Sequence, residues 1–224
     1  SGYFNGLLSY SGTGSIIEDS KFHNNENIGI ILANGSNNTT VTDIEAYDNA
    51  FSGVVVLSSE NTSITSSAAY NNDYNGFAYV NTTTLNTLDG NYSYGNVQGE
   101  GVLLENGNGV VIINNVIGQD ALGNIDGNGG NGILLHLNSN TNTIEGNTIV
   151  ASGNVGVNLT SSSSNAIFAN KFGNSDGVNA NLENASNAIM ISNGSSSNTI
   201  GSTTKGNIIK NKSGGFAISV DGSG

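Results

Sequence analysis

The chain has 224 residues, of which only 10 % are charged, yet its formal net charge is -12. It has no arginine, and its basic residues are Lys21, Lys171, Lys205, Lys210 and Lys212, so its surface repels phosphate backbones and acidic membranes and suits polyanionic sugars poorly. Cysteine is absent and no run reaches about 18 consecutive apolar residues, which excludes disulfides, thiolate metal sites and membrane insertion through a helix.

Short strands separated by glycine and asparagine follow one another from the N-terminus onward. A small residue followed by an apolar run recurs at Gly6, Gly29, Gly53, Gly76, Gly101, Gly132, Gly156, Ala188 and Gly215. Successive starts lie 23, 24, 23, 25, 31, 24, 32 and 27 residues apart, giving nine copies on a base period of 23–25 with two longer coils. A second apolar column keeps the beat at Val41, Ile64, Leu85, Val110, Ile144, Ile167 and Ile200. A third, larger one follows at Phe22, Tyr47, Tyr70, Tyr94, Ile117, Ile149, Phe172 and Ile208, which places the tyrosines mostly in core or turn columns. Asparagines such as Asn24, Asn49, Asn72 and Asn96 come just behind, at positions suited to left-handed turns and stacked amides. Helical spacing with caps is not found.

Three short strands per period predict an all-β fold, a right-handed single-stranded parallel β-helix of about nine coils, treated as one solenoid domain over residues 1–224. Coils about 4.8 Å apart would make a rod roughly 40 Å long. Both ends read as coil strands without a capping helix, so the chain is expected to be a segment or subunit of a longer solenoid or fibre. The stretches "NNVIGQDALGNIDGNGGNGILL" (114–135) and "SSNTIGSTTKGNIIKNKSGGFAI" (197–218) resemble repeats of bacterial and archaeal secreted proteins with this coil, within the pectate-lyase-like superfamily. The resemblance implies the fold and an extracellular or cell-surface address; the same coil carries both enzymes and inert stalks.

Catalytic signatures that the resemblance would bring are not recognisable. There is no Asp-Asp, Gly-His-Gly or Arg-Ile-Lys element, and His23 and His136 are isolated, each expected to be a satisfied or solvated surface residue. Asp19 and Asp43 stand one period apart behind the matching Ile17 and Val41, with Glu18 and Glu45 beside them; stacking would hold the two carboxylates about 5 Å apart, the spacing of retaining glycosidases. The leading expectation is a non-enzymatic structural or adhesive solenoid, with a carbohydrate-binding or carbohydrate-cleaving β-helix as the alternative. Ice binding comes third, because the Thr40-Val41-Thr42 and Ser63-Ile64-Thr65 rank breaks in later coils.

Alternation within the first strand of each coil sends Ile31, Val55, Ala78, Leu103 and Leu134 outward, followed two residues on by Leu57 and Val80 and then by Glu105 and His136. Such an apolar stripe calls for a cover, so self-association through this face or end to end is the expected partnership, with glycans as another. The loop "GNIDGNGGNGILL" (123–135) alternates Asx and glycine like a calcium site. Read as an EF-hand it places Leu135 at the position that needs a bidentate glutamate, so no cofactor is expected. Asp120, Asn124, Asp126 and Asn128 are kept as the alternative Ca2+ ligands.

Overall fold

The computed structural model describes residues 2–173, 182–210 and 215–222. Its strands form three parallel sheets, one strand of each per coil. The first sheet has nine strands, from Leu7–Tyr10, Ile30–Ala33 and Val54–Leu57 through to Ile218–Val220. The second runs over eight strands from Ile16–Glu18 to Thr199–Ile200, and the third over eight from Lys21–His23 to Ile208–Lys210. Every strand pairs with its counterpart one coil away, as Leu7 with Ile30, Ile16 with Thr40 and Lys21 with Glu45. The expected right-handed parallel β-helix is what the chain forms.

The core is one continuous column, because each coil sends alternate side chains of all three strands to the axis. Ile30, Leu32, Val54, Val56, Val102, Leu104, Ile133 and Leu135 of the first sheet are wholly buried. They meet Val41, Ile64, Leu88, Ile112 and Ile144 of the second and Ile117, Ile149 and Phe172 of the third. Burial of these apolar surfaces drives the stacking.

The glycine before each first-sheet strand is required by close approach. A Cβ on Gly53 would lie 2.8 Å from the carbonyl oxygen of Gly76 and 2.9 Å from both the Ala69 Cβ and the Asn72 Nδ2. The turn from third to first sheet carries a buried amide ladder: Asn25 donates to Asn49 Oδ1 at 2.8 Å, Asn49 to Asn72 at 2.9 Å, Asn72 to Asn96 at 3.0 Å and Asn96 to Asn128 at 2.7 Å. Further ladders join Asn91, Asn115, Asn147 and Asn170, and Asn142 to Asn165.

The structure corrects parts of the sequence register. In the third sheet Ala46, Ala69 and Ser93 point inward, while Tyr47, Tyr70 and Tyr94 point out. Inward, Ala46, Ala69 and Ser93 pack against Gly29, Gly53 and Gly76. Leu85 is 68 % exposed in a left-handed turn (φ 61°), and Leu88 takes the core position. Ile208 is exposed too, and its neighbour Ile209 packs on the core. In the last coil Ile218 pairs with Ile189, so Ala217, not Gly215, is the counterpart of Ala188. The first amide ladder begins at Asn25, since Asn24 is a left-handed turn residue outside it.

Candidate functional site

The outer face of the first sheet holds two ladders of side chains. One runs Leu8, Ile31, Val55, Ala78, Leu103, Leu134 and then Asn158; the other runs Tyr10, Ala33, Leu57, Val80, Glu105 and His136. The predicted outward set Ile31, Val55, Leu57, Ala78, Val80, Leu103 and Leu134 therefore lies on this one face. It is a groove and not a flat stripe, because the turns entering the sheet rise beside it. Ile28 and Phe51 on these turns wall a cavity of about 260 Å³ over Ile31, Val55, Leu57, Ala78, Val80 and Leu103. Phe51 and Tyr74 stack with ring centroids 4.7 Å apart, and Val55 and Ala78 are left only 7 % and 3 % exposed.

This apolar floor ends in ionisable groups. An adjoining hollow of about 240 Å³ is lined by Tyr74, Gln98, Glu100, Leu103, Glu105, Leu134 and His136. Glu105 Oε2 lies 3.4 Å from His136 Nε2, across the paired strands Val102–Glu105 and Ile133–His136. The His136 Nε2 atom is buried and makes no hydrogen bond, so it and Glu105 lie close without being bonded. The isolated surface histidine expected at position 136 is thus a groove residue paired with a carboxylate.

Glu100 occupies a turn column in which side-chain oxygens accept the backbone N–H of the next coil. Asn5 accepts from Ile28, Asn75 from Glu100, Asn131 from Val155 and Asn187 from Phe216. Glu100 Oε2 takes the same role toward Asn131 N. Burial pushes the Glu100 carboxyl up, against the opposing effect of the hydrogen bonds from Asn131. Sequence reasoning missed this residue; the available signal was a glutamate in a column it shares with Asn5, Asn75, Asn131 and Asn187.

The third sheet presents a second polar surface. His23, Tyr47, Tyr70 and Tyr94 stack ring on ring at 4.8–4.9 Å with interplanar angles of 3–5°. Their faces are spent on one another, leaving edges and hydroxyls toward solvent. Tyr70 donates to Glu45 Oε2 at 2.8 Å, and Lys21 Nζ lies 2.8 Å from Glu45 Oε1. The bond from Lys21 holds the Glu45 carboxyl below its ordinary range. Burial pushes Tyr94 up to about 12, helped by Asp120, Glu45 and Asp126.

Asp19 and Asp43 stack in neighbouring coils, as the period requires, at the left-handed turn between second and third sheets (φ 47° and 52°). Ser66, Gly90 and Asn114 follow in that column. The turn is separate from the groove, and Glu45 faces outward in the third sheet, bonded to Lys21 and Tyr70. The alternative Ca2+ ligands do not gather into one site. Asp120 closes an Asx turn by accepting from Leu122 N, Asn124 N and Asn124 Nδ2 at 2.8–2.9 Å. Asn128 is buried in the amide ladder, and Asp126 receives Gly95 N on its backbone oxygen. Among the described residues no group of three or more His, Cys, Asp or Glu is arranged to hold a metal ion.

A family model described as right handed beta helix region matches residues 1–117. No curated protein matches the chain. Among solved structures, a mutant of the periplasmic alginate epimerase AlgG is similar over 88 % of this chain and 47 % of its own, with a TM-score of 0.73 and 16 % identity. The Agl-KA catalytic domain is similar over 97 % of this chain and 45 % of its own (TM-score 0.68, 15 % identity). DFA-IIIase from Arthrobacter chlorophenolicus A6 in complex with GF2 is similar over 93 % of this chain and 56 % of its own (TM-score 0.65, 16 % identity). The chain spans about half the length of these structures. They correct the expectation of a non-enzymatic structural or adhesive solenoid, since the coils that superpose on this one are an epimerase, a catalytic domain and a DFA-IIIase. The missing motifs belonged to particular enzyme chemistries, whereas Glu100, Glu105 and His136 meet only after coils stack.

Proposed function

The chain belongs to the right-handed β-helix family, and from that premise we propose that it is a carbohydrate-active enzyme working outside the cytoplasm. A glycan lies along the groove of the first sheet and is hydrolysed beside Glu105 and His136. The observation that carries this reading is the continuity of the apolar floor, Ile31 to Leu103, with the hollow lined by Glu100, Glu105 and His136. A sugar ring has an apolar C–H face and a polar rim, which suits a floor of aliphatic side chains bordered by hydrogen-bonding groups. The carbohydrate-active neighbours support the substrate, and the periplasmic one supports the address.

Glycoside hydrolysis needs one carboxyl that is protonated and one that is ionised. Burial raises Glu100 and suits it to give its proton to the departing glycosidic oxygen. Glu105 then removes a proton from the attacking water, with His136 Nε2 3.4 Å away in the same hollow. The bond from anomeric carbon to leaving oxygen breaks as the bond to water oxygen forms. Reducing-end release from a panel of oligosaccharides tests this. Glu100→Gln and Glu105→Gln should each abolish release while circular dichroism stays unchanged. Retained binding with no product from the native chain would leave a binding module and refute hydrolysis.

A further inference from the structure

We propose that the groove selects an uncharged glycan and rejects uronates, a substrate class that rests on the carbohydrate reading above. The charge around the groove is one-sided. Its ionisable lining is Glu100, Glu105 and His136, and Glu26, Asp48 and Asp73 line a separate hollow on the turns that enter the sheet. The described lysines all lie elsewhere. Lys21 pairs with Glu45 on the third sheet, Lys205 pairs with Glu145 of the second, and Lys171 and Lys210 belong to third-sheet strands. A polyuronate entering this groove would bring carboxylates toward Glu100 and Glu105 with no arginine in the chain and no lysine among the described residues lining it.

Three ligand classes can be compared on these residues. An anionic sugar meets repulsion and must also shed water over an aliphatic floor, so both effects oppose it. A cationic amino sugar is attracted, but it would strip its ammonium groups over that same floor, and Glu105 already faces His136. A neutral sugar keeps the apolar contact without either cost. Its hydroxyls meet polar side chains that border the floor, Ser52, Asn75 and Gln98 among them. The neutral class therefore wins, although similar solved structures include several named for alginate and mannuronan.

The test is calorimetric titration of the whole chain with tetramers of neutral glucose and fructose units, of mannuronate and galacturonate, and of glucosamine, each at low and high salt. Neutral tetramers should bind with little salt dependence, and uronates at least about tenfold more weakly. The variant Val80→Lys, on a partly exposed groove position, should narrow that gap at low salt. Uronate binding equal to or tighter than neutral binding overturns the inference while leaving the carbohydrate reading intact. Preference for glucosamine that collapses with salt overturns it in favour of charge recognition. Binding of none of the tetramers by the native chain or by Val80→Lys removes the carbohydrate reading itself.

Discussion

Asn72→Ala tests whether the buried amide ladder is a main support of the solenoid. Asn72 is wholly buried. Its Nδ2 donates to Ala46 O at 3.1 Å and to Asn96 Oδ1 at 3.0 Å, and its Oδ1 accepts from Asn49 N at 3.2 Å and Asn49 Nδ2 at 2.9 Å. Truncation removes these four bonds and strands two donors of Asn49 away from water. At about 1 kcal/mol per buried bond the loss is about 4 kcal/mol, a large fraction of ordinary domain stability. The neighbouring Asn71→Gly is the control. Asn71 is exposed and left-handed (φ 53°), a geometry glycine adopts freely, so the change should stay within about 0.5 kcal/mol. Equilibrium unfolding in guanidinium gives the two values, and hydrogen exchange should place the loosening in coils two to four. A cost below about 1 kcal/mol for Asn72→Ala, or equal costs for both variants, would refute the ladder argument.

Gly53→Ala should cost about 1–3 kcal/mol by overpacking against Gly76 O and Ala69, whereas Gly206→Ala, with no atom within 4 Å of the new methyl, should leave thermal unfolding unchanged. Glu100→Gln should stabilise the chain at neutral pH. Burial raises the folded Glu100 pKa, so the native protein gains stability as pH falls through that value toward 4.5, and the advantage of the variant should vanish there. Parallel stability curves for the two proteins across that range would contradict it. Asp120→Asn should lower the Tyr94 titration midpoint from about 12, read by ultraviolet absorbance of the phenolate, because Asp120 is the largest charge acting on that hydroxyl after burial.

Architecture was legible in the sequence because a solenoid repeats one local problem. Period, strand triplets and the outward set from Ile31 to Leu134 all follow from side-chain alternation and a fixed rise per coil. The same alternation misplaced Tyr47, Tyr70 and Tyr94, since it reads large residues as inward. Only the pairing of the coils shows that Ala46, Ala69 and Ser93 are the residues in register with the inward Phe22 and Ile117. The loop around Asp126 likewise has the composition of a metal site, yet packing draws Asn128 into the amide ladder and closes Asp120 on its own turn.

What the sequence by itself determined was therefore the repeat, the acidity and the absence of arginine, because composition and period are properties of the chain. What the tertiary structure decided was the site. Glu105 and His136 lie 31 residues apart and meet only because strands Val102–Glu105 and Ile133–His136 pair in parallel. The groove beneath them exists only because Ile28, Phe51 and Tyr74 rise on three successive turns. The 31-residue period puts Glu105 and His136 in one outward column, but the walls that turn that column into a groove come from the folded turns.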